Sequence, residues 1–213
     1  MDPAPAAEAP RVHVVVRDGV ERAWIAWVLR DAGYETALYP SPRAFLADGR
    51  RGGPGCVVLD LFRRDCSNLA LQAAIAASSA PLPVVFLSDR PDVATSVRAM
   101  KAGAIDVLLK PPSGNALMAA VRSALQLERL SREAREKRDL VCRQLAALTP
   151  REREVLEQLV LGRPNKRIAA ALGASEKTIK IHRARVLHKM GAASIAELVR
   201  MTVDLPADSG PGR

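Results

Sequence analysis

Two short segments, CVVLDL at residues 56–61 and PVVFL at 83–87, are apolar at nearly every consecutive position. A strand with one wet face alternates apolar and polar residues. A strand covered on both faces does not, and such strands belong to parallel sheets. Parallel neighbours cannot be joined by a tight hairpin, so each needs a crossover, usually a helix. Three further runs fit the same scheme: VHVVV at 12–16, TALY at 36–39 and DVLL at 106–109. Between the runs, apolar residues recur on one helical face: Trp24, Ile25, Val28 and Leu29, then Ala70, Leu71, Ala74 and Ile75, then Val93, Val97 and Met100. Gly33 and Gly103 stand where a left-handed residue would close a helix. Five βα units predict an α/β fold, a doubly wound five-stranded parallel sheet over residues 11–125. Its site would lie at the carboxyl ends of the strands.

The pattern then changes. Residues 115–148 read as one long helix, with 126–147 as a helical linker. Leu127, Leu130, Ala134, Val141 and Leu148 follow a seven-residue repeat that Lys137 and Gln144 interrupt. Two readings stay open, a solvated connecting helix and a short coiled coil pairing two chains. Residues 148–204 are all helical. Thr149-Pro150-Arg151-Glu152 is a capping box with proline at the first helical position. Gly162 ends that helix, a second runs from Asn165 to Gly173, a third from Ser175 to Gly191, and a fourth spans about 194–201.

The 213 residues carry a net charge of +9, unevenly placed. Residues 1–121 hold 13 basic and 12 acidic side chains, 122–148 hold 7 and 4, and 149–213 hold 12 and 7. A positive excess in the second half suits a phosphate backbone. No apolar run approaches the ~18 residues of a membrane span. The Ala- and Pro-rich stretch 1–10 lacks the basic start and apolar core of an export signal and reads as a disordered lead-in. Residues 205–213 read as a flexible tail. Cys56, Cys66 and Cys142 are an odd set without paired spacing, which points to reduced thiols in a cytoplasmic protein rather than to a disulfide framework or zinc. His13, in an apolar strand, and His182 read as packing residues. A redox role for Cys66 would need a base or second thiol beside it.

The third helix of the second half is the most informative. At 100° per residue, Ile179, Val186 and Met190 share a narrow arc flanked by Leu187. Lys177, Ile181, Ala184 and His188 lie opposite, flanked by Lys180 and Arg185. That outer face is basic at its edges and short or apolar at its centre. A helix entering a major groove needs this, with long cations for phosphates and guanine edges and small groups where it approaches the bases. The preceding segment IAAALGAS (168–175) would hold it at a fixed angle. LTPREREVL (148–156), NKRIA (165–169) and SEKTIKIHRARVLHKM (175–190) together closely resemble the LuxR-type helix-turn-helix. That resemblance implies base-facing roles for Lys180, Ile181 and Ala184. It implies backbone contacts for Lys166, Lys177, Thr178, Arg183, Arg185 and Lys189.

The first half resembles the receiver domain of the FixJ/NarL (LuxR-type) response regulators. AMKAGAIDVLLKP (99–111) carries most of the likeness, with AFL (44–46) and VVLD (57–60) in support. The resemblance implies a phosphoacceptor-like Asp60 ending the third strand, a hydroxyl at Ser88 and a lysine at Lys110 with a cis bond to Pro111. It also implies two adjacent acids after the first strand that hold Mg²⁺. Those positions carry Val16 and Arg17 here, and only Asp18, one residue on, is acidic. Mg²⁺ takes oxygen ligands in near-octahedral geometry, so a guanidinium there both removes a ligand and repels the ion. The family's aromatic switch position is Val107, and Arg63 and Arg64 add charge beyond Asp60.

The expectation is therefore a bacterial transcription regulator, not an enzyme, acting as a homodimer on double-stranded promoter DNA. Its atypical receiver would not use standard Mg²⁺-dependent phosphorylation and would hold no metal or cofactor. Arg17 would pair with Asp60 or Asp18 in place of the metal. The alternative is an ordinary two-component regulator with Mg²⁺ in the pocket, phosphorylated on Asp60 by a sensor kinase. No glycine-rich phosphate loop or nucleophile elbow supports an enzyme in the α/β half.

Overall fold

The computed structural model describes residues 9–48, 53–61, 67–89 and 93–203. The chain divides into two units, 1–132 and 133–213.

In the first unit the strands are β1 (Arg11–Val15), β2 (Glu35–Tyr39), β3 (Gly55–Asp60), β4 (Val84–Ser88) and β5 (Asp106–Leu109). They form one parallel sheet in the order β2-β1-β3-β4-β5. Helices α1 (Gly19–Asp31), α2 (Pro42–Ala47), α3 (Ser67–Ala76) and α4 (Val93–Lys101) connect them, and α5 (Gly114–Ala146) follows. β3 and β4 are buried at every position, as their unbroken apolar runs require. β1, β3, β4 and β5 each feed two cores, and β2 feeds one. Val12, Val14, Cys56, Val58 and Val85 pack with Ile25 and Leu29 of α1 and Leu117 and Val121 of α5. Val15, Val57, Leu59, Val84 and Phe86 pack with Phe45 of α2, Leu71 and Ile75 of α3 and Ala99 of α4. Burying a Leu, Ile or Phe side chain is worth about 1.5–3 kcal/mol, so this double layer dominates the unit's stability.

Two helical faces differ from the periodicity. In α4, Val97 and Met100 are exposed and Ala99 is buried. The side-chain amide of Gln72, itself buried, donates to the carbonyls of Ala99 (3.2 Å) and Ala102 (3.0 Å), which brings α3 onto the small residue rather than the large ones. In α1, Ile25 and Leu29 are buried, whereas both tryptophans, Trp24 and Trp27, reach the surface. His13 behaves as a core residue, its Nδ1 3.2 Å from the Tyr39 hydroxyl and its ring edge-on to Phe45. Burial, with help from nearby Glu128, pushes the Cys56 thiol up to about 12, which makes it inert. Cys66, Arg63 and Arg64 lie outside the described residues.

The 33 residues of α5 form one helix, as the uninterrupted pattern predicts. Of the heptad positions, Val141 of α5 and Leu148 just beyond it are buried in the core of the second unit, whereas Leu127 and Leu130 are exposed.

The second unit continues with α6 (Pro150–Val160), α7 (Asn165–Leu172), α8 (Glu176–Lys189) and α9 (Ile195–Val203). Thr149 caps α6 in a complete capping box with Glu152, and Ser175 caps α8. Gly173 closes α7 at φ 60°, a left-handed backbone that only glycine adopts without cost. Val155, Leu156, Leu159, Ile168, Ile179, Val186, Met190 and Leu198 form its interior.

Candidate functional site

Two polar constellations stand out, one in each unit. The first lies at the carboxyl ends of β1, β3, β4 and β5, where a doubly wound sheet leaves a crevice. Asp60 ends β3 and is only 1% exposed. Ser88 ends β4 and is buried. Lys110 follows β5, its backbone N–H donating to the Ser88 carbonyl at 2.9 Å, and its bond to Pro111 is cis.

The charges of this pocket are paired with one another. The Lys110 ammonium contacts Asp60 Oδ1 and also donates to Glu21 Oε2 at 2.7 Å. Burial pulls the Lys110 pKa down, but the hydrogen bonds and charges of Asp60 and Glu21 outweigh it, and the net shift is upward. The Arg17 backbone N–H donates to Asp60 Oδ2 at 2.9 Å, while the Arg17 residue as a whole is exposed. Asp18 caps α1, its Oδ1 accepting from the Glu21 N–H at 2.8 Å. The Arg22 guanidinium donates to the carbonyls of Val16 (2.7 Å) and Arg17 (3.1 Å). Val16 is fully buried in the sheet core. Val107 is half-buried on β5 and offers no ring.

The sequence reading placed Asp60, Ser88, Lys110, Val16, Arg17 and Asp18 around this crevice and missed Glu21 and Arg22. A signal was present. Asp18 to Glu21 has the spacing of a capping box, which puts Glu21 in the first turn beside the end of β1. In this chain the Glu21 carboxylate reaches across to Lys110 instead of back to its own cap.

The second constellation is the outer surface of α8. Lys177, Lys180, Ile181, Ala184, Arg185 and His188 are all exposed, and Ile181 keeps 48% of its surface in solvent. Ile179, Val186 and Met190 on the opposite side are buried. Lys166 is exposed on α7. Arg183 reaches Asn165 Oδ1 at 3.4 Å, tying α8 to the start of α7, and Thr178 hydrogen-bonds the Ser175 cap through its N–H at 3.1 Å. Lys189 behaves differently. Its ammonium donates to Glu152 Oε2 at 2.7 Å and to the Ala147 carbonyl at 3.1 Å, so it is engaged inside the unit. The Lys189 hydrogen bond and the Thr149 backbone N–H hold the Glu152 carboxyl down at about 2.

Comparison with known proteins follows the same division. Residues 12–122 match the response regulator receiver domain family, and residues 146–202 match the bacterial regulatory proteins of the luxR family. The chain is 39% identical to the transcriptional regulatory protein FixJ of Azorhizobium caulinodans over 196 residues, 92% of this chain and 93% of that one. It is 34% identical to the transcriptional regulatory protein TdiR of Thauera aromatica, covering 92% and 86% of the two chains. Among solved structures, the response regulator StyR superposes with a TM-score of 0.82 at 37% identity, covering 92% of this chain and all of that one. Full-length FixJ from B. japonicum gives a TM-score of 0.55 at 32% identity over 92% of this chain and 96% of that one.

Proposed function

Since the chain belongs to the FixJ-type response regulators, which join a receiver domain to a LuxR-type DNA-binding domain, we propose that it regulates transcription through a receiver that has left Mg²⁺-dependent phosphorylation. The family assignment makes it a two-component regulator of transcription; the departure at the receiver is the further step. One observation carries it: the two positions after β1 that the resemblance gives to metal-holding acids are Val16 and Arg17, and the Lys110 ammonium is held by both Asp60 and Glu21.

The described residues do not fit that ion. Mg²⁺ keeps near-octahedral oxygen coordination and is bound through carboxylates with several waters. Among the described residues, Asp18 accepts from the first turn of α1 as its cap and Glu21 is held by Lys110. The carbonyls of Val16 and Arg17 already accept from Arg22. Both Asp60 oxygens are met by cationic or N–H groups of the chain itself. Phosphoryl transfer to a carboxylate needs the growing charge on the transferred group to be neutralised. With Lys110 and Arg22 already engaged, the described part of the pocket offers little for that. Arg17 contributes its backbone N–H to Asp60, and Lys110 and Glu21 supply the charge pairing beside it.

An ordinary phosphorylated receiver, served by a sensor kinase, is the competing reading. The placement of Asp60, Ser88 and Lys110 at three adjacent strand ends favours it. Acetyl-phosphate labelling with and without Mg²⁺ separates the two. The expected result is no Mg²⁺-dependent label on Asp60, and robust labelling that needs the metal would overturn the proposal. Replacing Val16 and Arg17 by Asp together should create measurable Mg²⁺ affinity.

In the second unit α8 is the DNA reader, with Lys180, Ile181 and Ala184 toward the bases and Lys166, Lys177, Thr178 and Arg185 on phosphates. Arg183 and Lys189 mainly brace the helix, through Asn165 and Glu152. Two chains would bind half-sites about one helical turn apart.

A further inference from the structure

A groove of about 630 Å³ runs along the second unit between the end of α5 and the α8–α9 region. Its walls are largely apolar, built from Ala134, Leu140, Val141, Met190 and Met201. Three cations, Lys137, Arg138 and Arg200, also line it, and none makes a hydrogen bond or ion pair with the described residues. The one acid on the wall, Glu197, is already held by the Ala193 N–H at 2.8 Å. Gln144 lines the same groove, and its Oε1, shut off from solvent, has no hydrogen-bond partner among the described residues.

These features belong together chemically. Small-molecule sites are mostly apolar concavities of roughly 300–1,000 Å³ with a few convergent polar groups. A buried acceptor left without a donor is costly, and that cost is recovered when a donor arrives. The terminal amide of Gln turns on a soft torsion, so Oε1 can follow an incoming donor. Three unneutralised cations beside an apolar wall ask for an anion attached to an apolar body.

We propose that this groove binds a small amphipathic carboxylate, its chain against Leu140, Val141, Met190 and Met201, its carboxylate toward Lys137, Arg138 and Arg200, and a hydroxyl donating to Gln144. The site is separate from both the receiver pocket and the outer face of α8. It would give the DNA-binding unit a chemical input of its own.

The test uses the full chain with ¹³C-methyl methionine and three probes: 3-hydroxydecanoate, decanoate and decan-1-ol. The Met190 and Met201 methyl resonances should shift saturably, while Met100 and Met118 of the first unit stay fixed. The hydroxy acid should bind about fivefold tighter than decanoate, the worth of one net hydrogen bond. The alcohol should bind at least about tenfold more weakly than decanoate, as should decanoate to R138Q/R200Q, each factor of ten standing for one charge-assisted hydrogen bond. Q144M should erase the advantage of the hydroxyl and leave decanoate binding unchanged, which separates a ligand contact from a folding defect. Equal binding of the alcohol overturns the proposal, as do shifts that spread to Met100 and Met118. Met190 and Met201 shifts that follow protein concentration without any probe also overturn it, because a second copy would then fill the groove.

Discussion

The receiver pocket and the outer face of α8 are both rich in charge, but they use it in opposite ways. In the pocket, Lys110 and Arg22 are matched by Asp60, Glu21 and backbone carbonyls within the same unit. On α7 and α8, Lys166, Lys177, Lys180 and Arg185 stand exposed with no hydrogen bond or ion pair to the described residues. A closed circuit of charge holds a shape and has little left for an outside ion. An open array is uncomfortable alone and attracts a polyanion. The contrast teaches that charge count is a poor guide to function until the partners of each charge are known.

The strongest attack on that contrast is to remove the open array. K177A/K180A/R185A should lower DNA affinity by about two orders of magnitude or more. The slope of log K against log salt should become shallower by about 0.9 for each phosphate no longer neutralised. A slope that does not change would mean these cations never meet phosphate. Lys180→Ala alone should cost about 1–3 kcal/mol on the cognate site and little on random DNA if the residue reads a base edge. Equal losses on both sequences would move it to the backbone class.

The closed circuit is opened by Glu21→Gln. Losing one charge-assisted partner of a mostly buried ammonium should cost the first unit about 1–3 kcal/mol, read by urea unfolding. The sign with pH follows from Lys110. Its pKa is raised in the folded chain, so the stabilisation is full below the ordinary lysine value of 10.5 and fades as pH climbs through the higher folded value. The variant should therefore show a shallower alkaline loss than the parent, and an unchanged profile would detach Glu21 from Lys110. The smallest effect is expected for Glu152→Gln in the second unit. The Glu152 pKa is lowered from 4.5 to about 2, so its contribution is present above 4.5 and disappears as acid takes the pH toward 2. Acid titration of helix content should lose that component in the variant while DNA binding at neutral pH changes little.

Much of this architecture is legible in the residue pattern. The apolar runs 56–61 and 83–87 locate the central strands because polar residues are scarce when both faces are covered, with Asp60 at the strand end the exception. Asp60, Ser88 and Lys110 follow from the resemblance to receiver domains, and the fold sets them at the ends of β3, β4 and β5. The place of Glu21 in the first turn of α1 is legible, but its partner is not, because Lys110 lies 89 residues away and only the folded chain brings the two together. The exposed face of α4 misleads because periodicity identifies a stripe of large apolar residues but not which stripe meets the neighbour. Lys189 misleads for a different reason: a long side chain at the edge of a helical face can fold back, and Glu152 offers a better partner than solvent.

Glu152 Oε2 takes a proton donor from the start of α6 and another from the end of α8. Two helix termini distant in sequence therefore share one latch. Fraying of the last turn of α8 would unlatch the first turn of α6, so the amides at both places should exchange with deuterium as a single opening event.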